Sequence, residues 1–423
     1  MHVKVRQTCR LCGSKSLTTI VDLGSQMLAS AFVSEENQDY LPLRKVPLEL
    51  VRCNPEIDED ACGLVQLRHT FPGDIMYSDY WYASGVNQTM RDALADITRR
   101  AADFVSLAKD DIAVDIGCND GTLLKSYKLV NSELNLVGFD PAKNFVGAQG
   151  EGFLRINDYF NKASYTDALG AKKAKIVTSI AMFYDLEDPI AFASEIADIL
   201  DDNGIWILQM ADLPNMLKHN MFDNICHEHV TYYHLAPMEY LLKRCNMKLV
   251  DVEMNQVNGS SYRFYIRKNT GLEPSKDAIK RIAKVRFDEF NMALDTDTPY
   301  KRFKDNIERN KNDLLFFINQ ERAEGKKVFV YGASTKGNVL LQYCGLNEEI
   351  IPCAAERNPR KWGTKTLGSG IPIVSEEDAR AMSPDYFLVL PYHFLDEMLV
   401  REQDFTARGG KFIVPVPHVK LVP

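Results

Sequence analysis

Apolar positions fall into three regimes along the chain. Over residues 1–75 they form short alternating pieces broken by Gly, Pro and Asp (TTIVDLG, VPLELVRC, GLVQLRHTF), the pattern of brief strands in a segment that buries little surface of its own. Residues 86–108 (VNQTMRDALADITRRAADFVSLA) place apolar residues at helical spacing. Strand-like runs then alternate with helical ones: DIAVDIG, LNLVGFDP, KIVTSIAMFY and GIWILQM as strands, with the helix PIAFASEIADIL among them. Such alternation predicts a doubly wound parallel sheet. EYLLKRCN predicts a further helix, and KLVDVEMNQV and SYRFYIRK two more strands. From Gly271 to Glu324 the pattern becomes charged and helical, a connection into a second unit that opens at KKVFVYGASTKGNVLLQYC, again strand, glycine turn and helix, and continues through YFLVLPY and KFIVPVP. The expected architecture is α/β in three parts: 1–75, 76–270 and 271–423.

Composition changes this picture little. The 423 residues are 45% hydrophobic and 26% charged, ordinary for a globular chain of two to four domains. A net charge of -8 argues against a broad grip on nucleic acid. With no apolar run long enough to cross a bilayer and no apolar leader, the expectation is a cytoplasmic protein that needs neither a membrane nor an obligate protein partner.

Nine cysteines make an odd number, which disfavours a disulfide framework. Cys9-Arg10-Leu11-Cys12 is a knuckle whose turn aims two thiolates at one tetrahedral zinc ion, and Cys53 and Cys62 supply two more, with His69 as an alternative ligand. A closed four-thiolate site holds a fold together and leaves no position for catalysis.

Asp115-Ile-Gly117-Cys-Asn119-Asp-Gly121 sits at a strand-to-helix turn, where glycines let backbone N–H groups approach a ligand. Asp140, ending the next strand, is placed to accept hydrogen bonds from ribose hydroxyls. The turn lacks the G-x-G-x-x-G of dinucleotide sites and resembles the loop of class I S-adenosylmethionine-dependent methyltransferases. That resemblance implies Asp158 and Tyr159 beside the adenine and the strand end at Ser179 under the cofactor. A second turn, Gly332-Ala-Ser334-Thr-Lys336-Gly337, is not a P-loop, because its Lys precedes the second Gly. It still presents N–H groups and a cation to a diphosphate; dinucleotide binding is its rival use. His227-Glu228-His229-Val-Thr-Tyr232-Tyr233 packs two imidazoles, a carboxylate and two phenols into seven residues. Its H-x-H spacing admits a metal, but it lacks the H-E-x-x-H of a helix-borne site. A neutral imidazole with a pKa near working pH suits a general base.

Taken in order, the four cysteines, YSDYWYASG (77–85), DIGCNDGTLL, HEHVTYY with NGSSYRFY, and VYGASTKGN with ERNPRKWG and FLVLPYHF resemble the nucleotide-diphosphosugar C-methyltransferases over almost the whole chain. The resemblance implies a zinc-binding N-terminal domain, a class I methyltransferase Rossmann-like domain and a C-terminal Rossmann-like domain. It implies S-adenosylmethionine and structural zinc as cofactors and a nucleotide-linked keto-deoxysugar as substrate. It makes His229 the base and Glu228 its orienter or a sugar ligand, and brings Tyr80 or Tyr82, with Tyr232, to the active site. The sugar nucleotide falls to Asn258, Ser260, Arg263, Gly332, Ser334, Lys336, Glu356, Asn358, Lys361 and Tyr392. One departure stands out: where relatives carry a His near the Asp-Leu-x-Asp segment, this chain has AMFYDLED, with Met182, Phe183 and Tyr184 before Asp185. O- or N-methylation of a similar sugar, and cofactor or sugar-nucleotide binding without turnover, are the competing expectations.

Overall fold

The computed structural model describes residues 3–34, 44–77, 83–148 and 152–423. Helices and strands fall close to where the periodicity puts them. The helix expected over 86–108 spans Gln88–Phe104, ending where Val105 turns extended, and buries Leu94, Ile97, Thr98 and Ala101. Tyr80 and Tyr82 lie outside the described residues.

The central sheet has seven strands in the spatial order Met247–Asn255, Ser261–Lys268, Leu200–Ala211, Ala174–Ile180, Ile112–Ile116, Asn135–Phe139 and Leu154–Ile156. All neighbours are parallel except Ser261–Lys268, which runs antiparallel to both of its partners. Strand order reverses between Ile112–Ile116 and Ala174–Ile180, so a crevice opens at their carboxyl ends. A second sheet runs Ile373–Ser375, Ala354–Glu356, Val328–Tyr331, Tyr386–Val389, Lys411–Val414 and Lys420–Val422, parallel up to its last, antiparallel strand. Its order reverses between Val328–Tyr331 and Tyr386–Val389, giving a second crevice.

The helix Lys276–Asn291 lies on the central sheet, with Ile282 and Val285 in the same apolar core as Trp206 and Phe264 and Arg281 paired to Asp251. The longer helix Thr298–Ala323 instead shares its core with the C-terminal sheet.

The N-terminal module is an antiparallel sheet of Leu17–Gln26, Val46–Cys53 and Val65–Leu67, completed by Thr231–Tyr232. Around it the three parts interlock. Buried Arg52 donates to Asn54, Asp297 and the Thr296 carbonyl. Residues 27–33 are clamped on the C-terminal domain: Met27 and Gln342 exchange hydrogen bonds, Asn338 donates to the Ala29 carbonyl, and Phe32–Val33 pairs with Lys365–Thr366. No helix among the described residues is long and apolar enough to cross a membrane.

Candidate functional site

The two crevices face one cavity of about 540 Å³. From the central domain it takes Asp115, Gly117, Asn119, Asp140, Asp158, Tyr159, Met182, Asp185 and Gln209; from the loop before Thr231–Tyr232 it takes Asp223, Cys226, Glu228 and His229. Ser30 and Tyr77 reach it from the N-terminal side, and Ser334, Lys336 and His393 from the C-terminal domain.

The first glycine loop is shaped by positive φ at Gly117 (+75°), Asn119 (+51°) and Gly121 (+78°), conformations glycine adopts freely. A Cβ on Gly117 would stand 3.1 Å from the Met182 side chain. Asp140 accepts the Asn119 N–H at 2.7 Å and the Ala142 N–H at 2.9 Å. Burial still raises its carboxyl above the usual range. Asp115 is fully enclosed and takes the Thr178 hydroxyl at 2.6 Å; burial pushes it up to about 7. Asp158 and Tyr159 line the cavity. Ser179 does not: its hydroxyl accepts Trp206 Nε1 at 3.2 Å within the core, and its neighbours Ile180 and Ala181 line the wall.

His229 lies against Tyr184, ring centroids 4.1 Å apart. Loss of water, followed by the nearby Lys336 cation, drives its imidazole down to about 3, so it is neutral at pH 7. Glu228 is 5% exposed, and burial raises its carboxyl. Tyr232 turns away; its hydroxyl donates to the Asn224 carbonyl at 3.0 Å and braces the loop. His227 meets the Val46 carbonyl at 3.1 Å and the edge of Phe71. The two histidines of H-x-H thus serve different surroundings, and among the described residues only the four cysteines form a metal-ligand group.

Opposite stands Lys336, with Asp223 beside it opposing the effect of burial on the ammonium. Tyr392 does not line the cavity but donates to Asp223 at 2.9 Å, fixing that carboxylate. Ser334 caps the helix Thr335–Cys344 through the Gly337 N–H. Gly332 (φ +83°) packs on Pro391, which a Cβ would approach to 2.6 Å. Glu356, Asn358 and Lys361 lie outside the cavity: Glu356 accepts the Ala333 and Asn358 N–H groups, the Asn358 side chain caps Arg360, and Lys361 donates to the Ala333 carbonyl while sitting over the Phe32 ring. Ser260 and Arg263 also face away, the first bonded to Asp212, the second to Gln209 and Asp96. Ser261 and Val257 occupy the wall instead. Asn258 lies in the short turn Val257–Gly259, and its side chain is outside the described residues.

Tyr77, Asp185, Asp223 and His393 were not singled out by sequence. Tyr77 opens the YSDYWYASG stretch and donates to the Glu228 carbonyl at 3.1 Å; His393 lies within FLVLPYHF.

The sulfurs of Cys9, Cys12, Cys53 and Cys62 all lie within 4.8 Å of one another, with Cys9–Cys62 at 3.5 Å and Cys12–Cys53 at 3.4 Å. Tetrahedral zinc with Zn–S bonds of about 2.3 Å places sulfurs about 3.8 Å apart, so the donor set fits zinc. His69 is no ligand; it faces Glu49. The knuckle also reaches the active site: Arg10 bonds Gln66, the Leu67 carbonyl and Glu187. Against the cost of burial, Arg10 and Arg6 hold Glu187 down at about 2, which anchors the loop carrying Asp185.

Family models match the chain in the same order: a zinc binding domain over residues 9–77, a methyltransferase domain over 86–252 and a C-methyltransferase C-terminal domain over 256–417. C-methyltransferase NovU of Streptomyces niveus is 28% identical over 421 residues, 98% of this chain and 96% of that protein. Among solved structures, plantazolicin methyltransferase BpumL with a pentazolic analog and SAH is 12% identical over 43% of this chain and 86% of its own (TM-score 0.34). CalO1, a methyltransferase in calicheamicin biosynthesis, is 13% identical over 42% and 55% (TM-score 0.32). The glycine loop at the switch point of a seven-stranded sheet and the matched methyltransferase domain define an S-adenosylmethionine-dependent methyltransferase. With a zinc-binding module in front and a C-terminal domain behind, the chain is similar to the C-methyltransferases in domain order along almost its whole length.

Proposed function

We propose that the enzyme methylates a ring carbon next to the ketone of a nucleotide-linked keto-deoxysugar. The observation that carries this reading is that both switch points open into one cavity with His229 in its wall. One side offers glycines and the Asp140 carboxylate to an adenosyl ligand; the other offers Lys336 to a diphosphate. Bound S-adenosylmethionine supplies a methyl group activated by the positive sulfur.

A C–H next to a ketone is acidic enough for a positioned base, and the neutral imidazole of His229 accepts that proton. The electron pair left behind spreads onto the ketone oxygen, and its negative charge in turn stabilises the new imidazolium. The walls hold the nucleophilic carbon in line with the methyl, about 3–3.5 Å away. Carbon is favoured over oxygen or nitrogen by the C-methyltransferase C-terminal match and by the C-methyltransferase relative.

The test combines isotope-labelled S-adenosylmethionine with a panel of nucleotide-linked 4-keto-6-deoxysugars, the label being located by NMR. A new methyl on a ring carbon, together with cofactor-independent deuterium exchange from solvent at that carbon, is expected. Label on oxygen or nitrogen without exchange overturns the reading. His229→Ala should lower kcat by at least about 100-fold while leaving cofactor affinity unchanged.

A further inference from the structure

Two carboxyl groups, Asp185 and Glu228, share one wall of the cavity. Asp185 follows the strand Ala174–Ile180, and Glu228 lies on the loop before Thr231–Tyr232. The two segments are tied by Val230 N–H and the Thr231 hydroxyl, both donating to the Tyr184 carbonyl. Both Glu228 oxygens and Asp185 Oδ1 are buried, and among the described residues none has a hydrogen-bond partner. Ser30 and Cys226 stand beside Glu228 without closing a full hydrogen bond to it. The Tyr77 hydroxyl lies beside Asp185 and donates to the Glu228 carbonyl.

Three buried, unpartnered carboxyl oxygens are costly unless a ligand meets them or a proton neutralises them. The charged and titratable groups on this part of the cavity are Tyr77 from the N-terminal side, Tyr184 from the Asp185 loop, Asp223, Cys226 and His229 from the Glu228 loop, and Lys336 and His393 from the C-terminal domain, with the Tyr232 phenol behind the wall coupled to both carboxyls. Of these, the Lys336 cation faces Asp223, while burial raises both Glu228 and Asp185 and the Glu228 charge raises Asp185 further. Like charges set side by side away from water do not both ionise.

We propose that Asp185 and Glu228 share one proton in the resting enzyme, and that the carboxylic acid so held donates the hydrogen bond that steadies the enolate oxygen during methyl transfer. The role rests on the enolate reading above. The C–H proton goes to His229 and its electron pair to the ketone oxygen, where the shared acid donates without giving up its proton. As the carbon–methyl bond forms, the pair returns to the carbon and the sulfur keeps the electrons of its broken bond. The imidazolium then loses its proton to solvent. A carboxylic acid kept neutral for this purpose by its surroundings is known chemistry.

The resting enzyme provides the first test. Infrared difference spectra at pH 7 between the wild type and Glu228→Gln should show loss of a protonated-carboxyl carbonyl band that shifts in D₂O, and in Asp185→Asn that band should shift as the proton settles on Glu228 alone. A wild type without that band overturns proton sharing whatever the substrate proves to be. The second test is kinetic. Glu228→Gln keeps an N–H donor and should hold kcat within about tenfold of the wild type, with the alkaline limb of its pH profile abolished; Glu228→Ala should lose about 10²–10³-fold. In Asp185→Asn the neighbouring charge is gone, so the alkaline limb should move to lower pH. Wild-type exchange and C-methylation combined with a Glu228→Gln variant as inactive as the Ala variant overturn the donor role and leave the enolate reading standing. Methylation on oxygen or nitrogen ends both.

Discussion

The two glycine turns are built alike, each a buried strand leading through a positive-φ glycine into a helix at the point where its sheet reverses order, yet they confront the cavity with opposite charge. The first carries carboxylates, Asp115 inside and Asp140 at the rim; the second carries Lys336, with His393 across from it. The difference matches the two ligands proposed: a cationic sulfonium with a ribose that donates hydrogen bonds, and an anionic diphosphate. Backbone geometry makes a phosphate- or nucleoside-sized crevice, and the few side chains at its mouth decide which molecule enters. If that sorting is right, single substitutions should separate affinity for one ligand from affinity for the other, while damage to the shared support should remove both.

The shared support gives the largest effect. Cys53→Ser leaves three sulfurs around the metal, and the module that carries Arg10, Ser30 and Tyr77 depends on that centre for its fold. Loss of bound zinc, measured by elemental analysis, should be accompanied by insoluble or unfolded protein and by loss of affinity for both ligands. A soluble variant that binds both normally would show that the crevices do not need the module.

Lys336→Met should raise the KM for the sugar nucleotide about 100-fold, the worth of a well-placed charge-assisted contact, and leave the Kd for S-adenosylmethionine unchanged. Calorimetric titration of each ligand checks the separation. An equal loss for both ligands would make Lys336 a support of the cavity instead of the feature that distinguishes its two ends.

Much of this arrangement was legible in the sequence, for reasons that show where legibility ends. Residue types at fixed spacing within one element carry their meaning with them: Cys9 and Cys12 on one knuckle, Gly117 and Gly121 on one turn, Lys336 at a helix start. Which side of an element a residue faces is set by distant partners. Ser261 opens a strand antiparallel to the rest of its sheet, so it sits at the cavity end, whereas Arg263 lies two residues deeper, about 7 Å at strand rise, within reach of Asp96 on the helix Gln88–Phe104. Tyr232 is spaced like an active-site phenol but is consumed by the Asn224 carbonyl. The charged run after Gly271 reads as a connector, although Ala278, Ile282 and Val285 form the buried stripe of a helix packed on the central sheet. Tyr77, Asp223 and His393 gain significance only when three separate segments meet.

Acid should weaken the scaffold in a way assignable to single residues. Burial lowers His227 to about 4 and His234, His229 and His393 to about 3, against about 6.5 unfolded. Between those values the unfolded chain binds more protons than the folded one, so stability is full above pH 6.5 and falls as pH drops towards 4. Each histidine contributes about 2 kcal/mol of loss at pH 5. His227→Gln keeps a donor for the Val46 carbonyl and removes one titrating group, so the decline of denaturant stability from pH 7 to 5 should become shallower by that amount. Because His227 belongs to the scaffold and His229 to the cavity, this variant should leave both ligand affinities at pH 7 intact.

The smallest expected effect is at the first turn. Asp140 spends one lone pair of each oxygen on the N–H groups of Asn119 and Ala142, which leaves the other lone pairs for the ribose hydroxyls. Asp140→Asn keeps the shape but sets an NH₂ against one of those N–H groups, so the loop loses a hydrogen bond and the ribose an acceptor. Partial compensation by the remaining oxygen limits the expected loss to about tenfold in S-adenosylmethionine affinity, roughly the worth of one net hydrogen bond. The KM for the sugar nucleotide should not change, since that ligand is assigned to the opposite crevice. Paired with Lys336→Met, the variant completes a double dissociation: each substitution weakens one ligand and spares the other. Should Asp140→Asn weaken the sugar nucleotide instead, the acidic turn would be serving the substrate, and the assignment of the two crevices would have to be reversed.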